Sequence, residues 1–226
     1  MLKKVSIIMS VFNEEKVLKN SIKSILNQSH TNLEFLILND SSNDKTIDIL
    51  NCFQKTDKRI KVFNSIKNNG LTKSLNFLIS KVKSDFIFRQ DADDVSNDKR
   101  IELQLEYLLK NNLDACTTRT IDIKTQKEIN KKSFYLPKRL VIKYKNPFIH
   151  GSLLIRKNVI ESIGYYNEKF YYAQDFKLFS DLIKSGYKIR IFNKILYSLN
   201  TENNISTKFT EKQNYYANCV KKNLEP

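Results

Sequence analysis

The first 110 residues alternate short apolar runs with stretches of helical periodicity, and that alternation leaves few folds open. Val5–Met9, Leu33–Leu38, Ile60–Phe63 and Phe86–Phe88 have strand length. Their residues are apolar in succession, the mark of strands covered on both faces. Between them, Glu15–Asn27 carries Val17, Leu18, Ile22, Ile25 and Leu26 at helical spacing. A second helix carries Ile47, Ile49, Leu50 and Phe53, with Asn43 or Asp44 placed to cap it. Leu71–Val82 and Ile101–Leu109 complete the series. Strands joined by helices of 10–15 residues imply a parallel sheet with right-handed crossovers and ligands at the carboxyl ends of the strands. The polar clusters Ser10–Asn13, Asn39–Asp44 and Arg89–Asp94 each follow a strand. They are expected to meet at one sheet edge, far apart in sequence and close in space.

From about residue 111 the rhythm breaks. Ala115–Arg119, Ile121–Ile123, Ser152–Ile155, Lys188–Ile191 and Ile195–Leu199 read as strands, Val159–Ile163 as a helical turn, and Asp175–Lys184 and Thr210–Lys222 as helices. The 226 residues contain no internal repeat and no Pro/Gly linker. The expected fold is α/β: a Rossmann-like, mostly parallel central sheet flanked by helices, with a smaller α+β half, in one unit over residues 1–226.

Scarcity excludes several chemistries. The only glycines are Gly70, Gly151, Gly164 and Gly186, so neither a G-x-G-x-x-G dinucleotide fingerprint nor a P-loop can be written. Two histidines, His30 and His150, rule out a His-cluster metal site. Cys52, Cys116 and Cys219 lie far apart without a C-x-x-C, which argues against a zinc knuckle and fits a reducing compartment. Lys3-Lys4 and the following apolar run imitate a signal peptide, but Asn13-Glu14-Glu15 ends the run without a cleavage site. No apolar stretch approaches the roughly 18 residues of a membrane span. The expected location is the cytoplasm, with peripheral contact at the inner face of the membrane.

Charge is unevenly spread. The net charge is +15; residues 1–110 hold 18 basic and 14 acidic side chains, residues 111–226 hold 21 and 10. Eight basic residues against one acid, Glu128, fall within residues 124–145. Such an excess suits a polyanion: nucleic acid, an anionic membrane or a phosphorylated substrate. It also arises from a Lys-rich composition without any partner.

Asp91-Ala92-Asp93-Asp94 is the strongest local signal. Two carboxylates at i and i+2 can face one hard cation, and magnesium or manganese takes the rest of its shell from water and phosphates. The same tetrapeptide also serves as a solvated turn capping the next helix. The motifs S-I-I-M-S-V-F-N (6–13), L-I-L-N-D-S-S-N-D (36–44), N-N-G-L (68–71) and F-I-F-R-Q-D-A-D-D (86–94) stand in order. His150-Gly151-Ser152, Gly164-Tyr165-Tyr166-Asn167-Glu168 and Tyr172-Ala173-Gln174-Asp175-Phe176 follow. Over roughly residues 5–206, this set resembles the family-2 glycosyltransferases, which have a GT-A fold.

The resemblance implies a nucleotide-sugar-binding half, 1–110, and an acceptor-binding half, 111–226. It implies that Ser10 and Phe12 contact the nucleotide, the aromatic ring against the base, and that Asp40 accepts from the base. Arg89 would reach phosphate or fix the loop, Asp91 would sit near the ribose, Asp93 would hold the divalent metal, Mg or Mn, and Asp175 would be the catalytic base. The implied activity is inverting transfer from a nucleoside diphosphate sugar, with UDP the expected nucleotide, to a glycan or lipid-linked acceptor in surface polysaccharide or lipopolysaccharide assembly. Lys-rich residues 124–145 would then touch an anionic membrane or the acceptor lipid.

The sequence departs from the family pattern on the acceptor side. A D-D is Asn39-Asp40, the E-D is Gln174-Asp175, a following Arg is Asp181, and Tyr197-Ser198-Leu199-Asn200 replaces a late Arg/His pair. These departures leave a transferase that binds nucleotide without turnover as one alternative. A basic nucleic-acid-binding module is another, drawing on Phe134, Tyr135 and Tyr144 beside the lysines; it leaves the carboxylates unexplained, and no nucleic-acid partner is expected. A nucleotidylyltransferase would need a Gly-rich phosphate loop, and residues 6–13 hold no glycine.

Overall fold

The computed structural model describes residues 2–202 and 209–226, so residues 203–206 of the resembling stretch lie outside the described residues. The elements in chain order are β1 Val5–Val11, α1 Leu18–Leu26, β2 Leu33–Asn39, α2 Thr46–Thr56, β3 Ile60–Asn64, α3 Leu71–Lys81, β4 Phe86–Arg89, β5 Val95–Ser96 and α4 Arg100–Lys110. There follow β6 Ala115–Asp122, β7 Glu128–Ile129, α5 Lys131–Tyr135, α6 Lys138–Val141, a 3-10 turn His150–Ser152, β8 Leu154–Arg156, α7 Lys157–Ser162, α8 Gln174–Lys184, β9 Ile189–Leu199 and α9 Thr210–Lys222.

The described strands form one sheet in the order β3-β2-β1-β4-β8-β6-β9-β5, with β7 on β6. β3, β2, β1 and β4 are mutually parallel. β8 runs antiparallel between β4 and β6, and β6 and β9 are parallel. The chain winds outward from β1 to β3 and then returns to place β4 on the other side of β1. That reversal opens the crevice where ligands of open α/β sheets sit.

β1 shows why the first half folds as expected. Val5, Ile7, Met9 and Val11 enter one core with α1 and α4, while Ile8 enters the other with α3. Period-2 alternation sends successive side chains to opposite faces, and both faces are covered. Each fully buried aliphatic residue contributes about 1.5–3 kcal/mol relative to exposure.

The second half differs from expectation in detail. Ala115–Arg119 and Ile121–Ile123 form the single strand β6, and Lys188–Ile191 and Ile195–Leu199 form the single strand β9. The polar Asn193 and Lys194 that split the apolar pattern of β9 lie at register shifts opposite Thr118 and Arg119, where an irregular ladder carries extra residues. The strand expected from Ser152 begins at Leu154, because residues 150–152 turn as a 3-10 helix. The two-residue strands β5 and β7 and the short helices α5 and α6 leave no periodic trace in the sequence.

Candidate active site

The loops at the carboxyl ends of β1 and β2 are tied together by backbone and side-chain hydrogen bonds. Asp40 N donates to Val11 O at 2.8 Å, Asn43 N to the Asn13 side chain at 2.9 Å, and Glu15 N to the Asp44 carboxylate at 3.1 Å. Asn13 and Ser41 adopt φ values of 56° and 66°, a conformation that Asn tolerates better than most residues. Phe12 projects from this floor 44% exposed, although large aromatics usually enter cores; Ser10 is partly buried beside it.

Asp40 is buried, and its two carboxylate oxygens accept from Asn69 N at 3.0 Å and Gly70 N at 2.8 Å. Gly70 has φ 83°, open to glycine, and a Cβ there would stand 2.7 Å from the Tyr171 ring. Asp40 thus fixes the 68–70 turn, which lies directly under an aromatic residue of the second half.

In the loop after β4, the Arg89 guanidinium pairs through both terminal nitrogens with the Asp91 carboxylate, at 2.8 and 2.5 Å. Arg89 is buried, and its Nε finds no partner among the described residues. Asp94 is buried too; one oxygen accepts from Asn200 N at 2.7 Å and the other has no hydrogen-bond partner among the described residues. Burial, then the Asp91 carboxylate, pushes the Asp93 carboxyl up to about 6, and the same causes push Asp94 well above its ordinary value.

These carboxylates also test the site for a divalent metal. Among the described residues, no three His, Cys, Asp or Glu side chains converge to hold an ion by themselves. Asp93 is a desolvated oxygen donor whose charge is opposed by the neighbouring Asp91 carboxylate and favoured by Arg89. That donor set fits a hard cation completing its shell with diphosphate oxygens and water.

The loop rests on a buried polar hub that sequence reading missed. Arg100, fully buried, donates to Arg89 O at 2.8 Å, Gly151 O at 3.2 Å, Gln90 Oε1 at 3.0 Å and Ser96 Oγ at 2.8 Å. Its guanidinium lies 4.7 Å from the centre of the Tyr197 ring. Gln90 Nε2 in turn donates to Ser21 Oγ and to the carbonyls of Asp91 and Asp94. Tyr197, at the place of the family's late Arg/His pair, is buried and accepts from Asp91 N at 3.1 Å. Buried polar groups are stabilised by such bonds, so this network holds the loop in place. No sequence signal marks it: Arg100 stands at the start of α4 with no local hint of burial.

Gly151 closes the contact. A Cβ at this position would stand 2.3 Å from Tyr197 Oη and 2.7 Å from Asp91 Oδ2. Gly151→Ala is therefore expected to lower stability by about 1–3 kcal/mol through overpacking and to displace Asp91. Denaturant melts of the variant together with nucleotide titrations check both effects; a variant unchanged in both overturns this reading of the contact.

Asp175 arrives from the second half. Asn76 Nδ2 donates to Tyr166 O at 2.9 Å, Tyr166 N to Asn76 Oδ1 at 3.0 Å, and Thr72 Oγ1 to Phe170 O at 3.2 Å, so α3 holds the loop that leads into α8. Asp175 lies in the first turn of α8 and accepts from Asn146 Nδ2 at 2.7 Å. Burial raises its pKa, against the Phe176 amide, the Asn146 amide and the Arg89 charge. Next to it, His150 Nε2 and Tyr166 Oη share a hydrogen bond of 2.7 Å. Burial and Arg89 hold His150 well below its ordinary value, and burial pushes the Tyr166 phenol well above its own, so both are neutral at pH 7. The site thus combines Arg89, Asp91 and Asp175 with two neutral polar groups. At the positions of the remaining departures, Asp181 is paired with Lys177 at 2.6 Å, while Gln174 is partly exposed at the head of α8.

Residues 6–170 match the family model described as glycosyl transferase family 2. An uncharacterized glycosyltransferase of Haemophilus influenzae is 33% identical over 205 residues, which cover 86% of this chain and 75% of its own. The O-antigen biosynthesis glycosyltransferase WbnJ of Escherichia coli is 32% identical over 160 residues, 69% of this chain and 63% of its own. Among solved structures, S. aureus TarS 1–349 in complex with UDP-GlcNAc superposes with a TM-score of 0.80 at 18% identity, over 96% of this chain. The chain spans 65% of that one, less than two thirds of its length. The likeness shows the fold, which is of the GT-A type.

Proposed function

The chain belongs to glycosyl transferase family 2, and from that premise we propose that it transfers a sugar, with inversion, from a UDP-linked donor to a hydroxyl of a glycan or lipid-linked acceptor. One observation carries the reading: Arg89, ion-paired with Asp91 in the carboxylate loop after β4, also acts on the charge of Asp175, so the loop of the first half and the carboxylate of the second stand together. The bound UDP-GlcNAc of TarS supports the donor class, and the O-antigen role of WbnJ supports a surface polysaccharide as the setting.

In this reading Phe12 stacks on the base, Ser10 lines the pocket, and Asp40 contacts the base while it holds the 68–70 turn. Asp91 meets the ribose, braced by Arg89, which fixes the loop through both of its terminal nitrogens. Asp93 holds Mg or Mn; when bound, such an ion stabilises the charge that develops on the leaving diphosphate. Asp175 takes the proton of the acceptor hydroxyl, with Asn146 orienting the carboxylate, and a raised pKa makes it a better acceptor at neutral pH. Attack from the face opposite the diphosphate, with one base and no carboxylate nucleophile, gives inversion.

A thermal-shift panel of UDP, GDP and UDP-sugars with and without Mn²⁺ tests the donor side, because a ligand of the native state alone raises the melting temperature by mass action. UDP with Mn²⁺ is expected to give the largest shift. Phe12→Ala is expected to weaken nucleotide binding by about 1–3 kcal/mol, the range of base–aromatic stacking. If no nucleotide shifts the wild-type protein, the reading fails.

A further inference from the structure

At the end of α8 remote from Asp175 there is a second cavity, of about 400 Å³. Ile183, which lines the cavity, and Asp175 both lie on α8, so the cavity is roughly 12 Å from the candidate base along the helix. It opens where β6 and β9 begin, the opposite sheet edge from the crevice, and Lys138, Arg139, Lys188 and Arg190 line it together with Leu113 and Tyr187. No carboxylate is among the lining residues. Lys138 Nζ is committed to the carbonyls of Ser133, Phe134 and Leu136. No side-chain partner is found for Arg139, Lys188 or Arg190 among the described residues, and all three are exposed. Three cations without side-chain partners around one concavity, with the Asp114 carboxylate held on the Lys188 backbone amide at 2.7 Å, suit a phosphoryl group.

The surroundings select the source of that group. On α5, α6 and the turn after them, Tyr135, Leu136, Leu140 and Tyr144 are 69, 51, 56 and 73% exposed. Exposed Lys131, Lys132, Lys143 and Lys145 stand between and beside them, and the segment's acid, Glu128, is already paired with Arg119. Aliphatic and tyrosine side chains interleaved with lysines are the composition of surfaces that lie in a membrane interface. No helix among the described residues is long and apolar enough to cross a membrane.

We propose that the Arg139–Lys188–Arg190 cavity is a lipid-headgroup site, by which the chain docks peripherally on an anionic bilayer while Leu140 and Tyr144 enter its surface. The inference stands apart from the sugar-transfer reading. It goes beyond the basic run 124–145, because two of the three cations come from the start of β9. The bound bilayer would lie beside the segment that runs on to Asn146, the residue holding Asp175.

Co-sedimentation with vesicles of equal parts phosphatidylglycerol and phosphatidylcholine, against pure phosphatidylcholine, tests the proposal. The wild-type protein is expected to bind the anionic vesicles selectively. Neutralising Arg139, Lys188 and Arg190 to Gln is expected to weaken binding about a hundredfold, at the typical contribution of each cation near an anionic surface. A charge-matched control, with the exposed Lys19, Lys23 and Lys55 of α1 and α2 changed to Gln, should lose less than tenfold. Leu140→Ser with Tyr144→Ser should also lose tenfold or more. Equal affinity for the two kinds of vesicle overturns the proposal, as do equal losses in cavity and control variants, or unchanged binding in the serine variant. Stabilisation by inorganic phosphate without vesicle binding would assign the cavity to a soluble anion and overturn the membrane reading. UDP thermal shifts, measured on each variant, should match wild type, so failure here is distinguishable from failure of the donor reading.

Discussion

Asp175→Asn is expected to lower kcat by about 10²–10⁴-fold, the usual contribution of a positioned general base, while leaving UDP binding within twofold. The substitution is isosteric and keeps an acceptor oxygen for Asn146, so loss of packing does not account for such a drop. The pH profile supplies the sign. Burial raises the Asp175 pKa, so the wild-type rate should fall on acidification at a pH above the ordinary aspartate range. Asn146 donates to this carboxylate and favours its charged form. Asn146→Ala should therefore move the acid limb further upward with a smaller loss of rate at high pH. Initial rates from pH 5 to 9 on the three proteins decide it. Wild-type rates in Asp175→Asn would remove Asp175 as the base.

Asp93→Asn should abolish transfer and, in the same protein, raise stability. The Asp93 carboxyl binds its proton more tightly in the folded chain, at about 6, than at the ordinary 3.8 of an unfolded one. Protonation therefore favours the fold. This contribution is complete below the unfolded pKa and is lost as the pH rises through about 6. At pH 7.5 the ionised, desolvated carboxylate beside Asp91 is a cost that an amide removes. Partial solvation and coupling to Asp91 and Asp94 reduce the gain to about 1–2 kcal/mol, a few degrees in melting temperature for a chain of this size. The gain should vanish near pH 4, where both proteins are neutral at this position. The Mn²⁺-dependent part of the UDP shift should be absent in the variant. A variant that retains full activity, or that melts below wild type at pH 7.5, would refute the assignment.

Much of the first half was legible because its signals are local. Val5, Ile7, Met9 and Val11 announce a covered strand, and the polar residues after β1, β2 and β4 mark the edge where they meet. The candidate site residues from this half were found for the same reason: each stands within four residues of the end of β1, β2 or β4. Asp175 needed more, since nothing within α8 distinguishes it from any helix-start carboxylate; the ordered motif set pointed to it. Arg100 and Tyr197 were illegible. Arg100 reads as the first basic residue of an amphipathic helix, and its meaning lies in carbonyls 11 and 51 residues away. Tyr197 reads as a strand aromatic, and its hydroxyl meets the amide of Asp91 across 106 residues. The bulged ladder of β6 and β9 was misread because tertiary pairing carries Asn193 and Lys194 through an apolar pattern that they interrupt. α5 and α6 are too short to show a helical period, and what they present to solvent becomes visible only from exposure.

The Arg100 hub also decides where this chain can be cut and recombined. An engineer seeking a new acceptor would keep the donor-side residues and graft a relative's second half, with the seam just after α4. Arg100 and Gln104 reach across that seam, to Gly151 O and to the carbonyls of Cys116 and Ser152. Tyr197 reaches back from the far side to Asp91 N. A graft that ignores these positions would unseat the carboxylate loop, and a swap meant to change the acceptor would destroy donor binding instead. The portable module ends in space around Arg100, and its parts list includes Gly151, Ser152 and Tyr197 from beyond the seam.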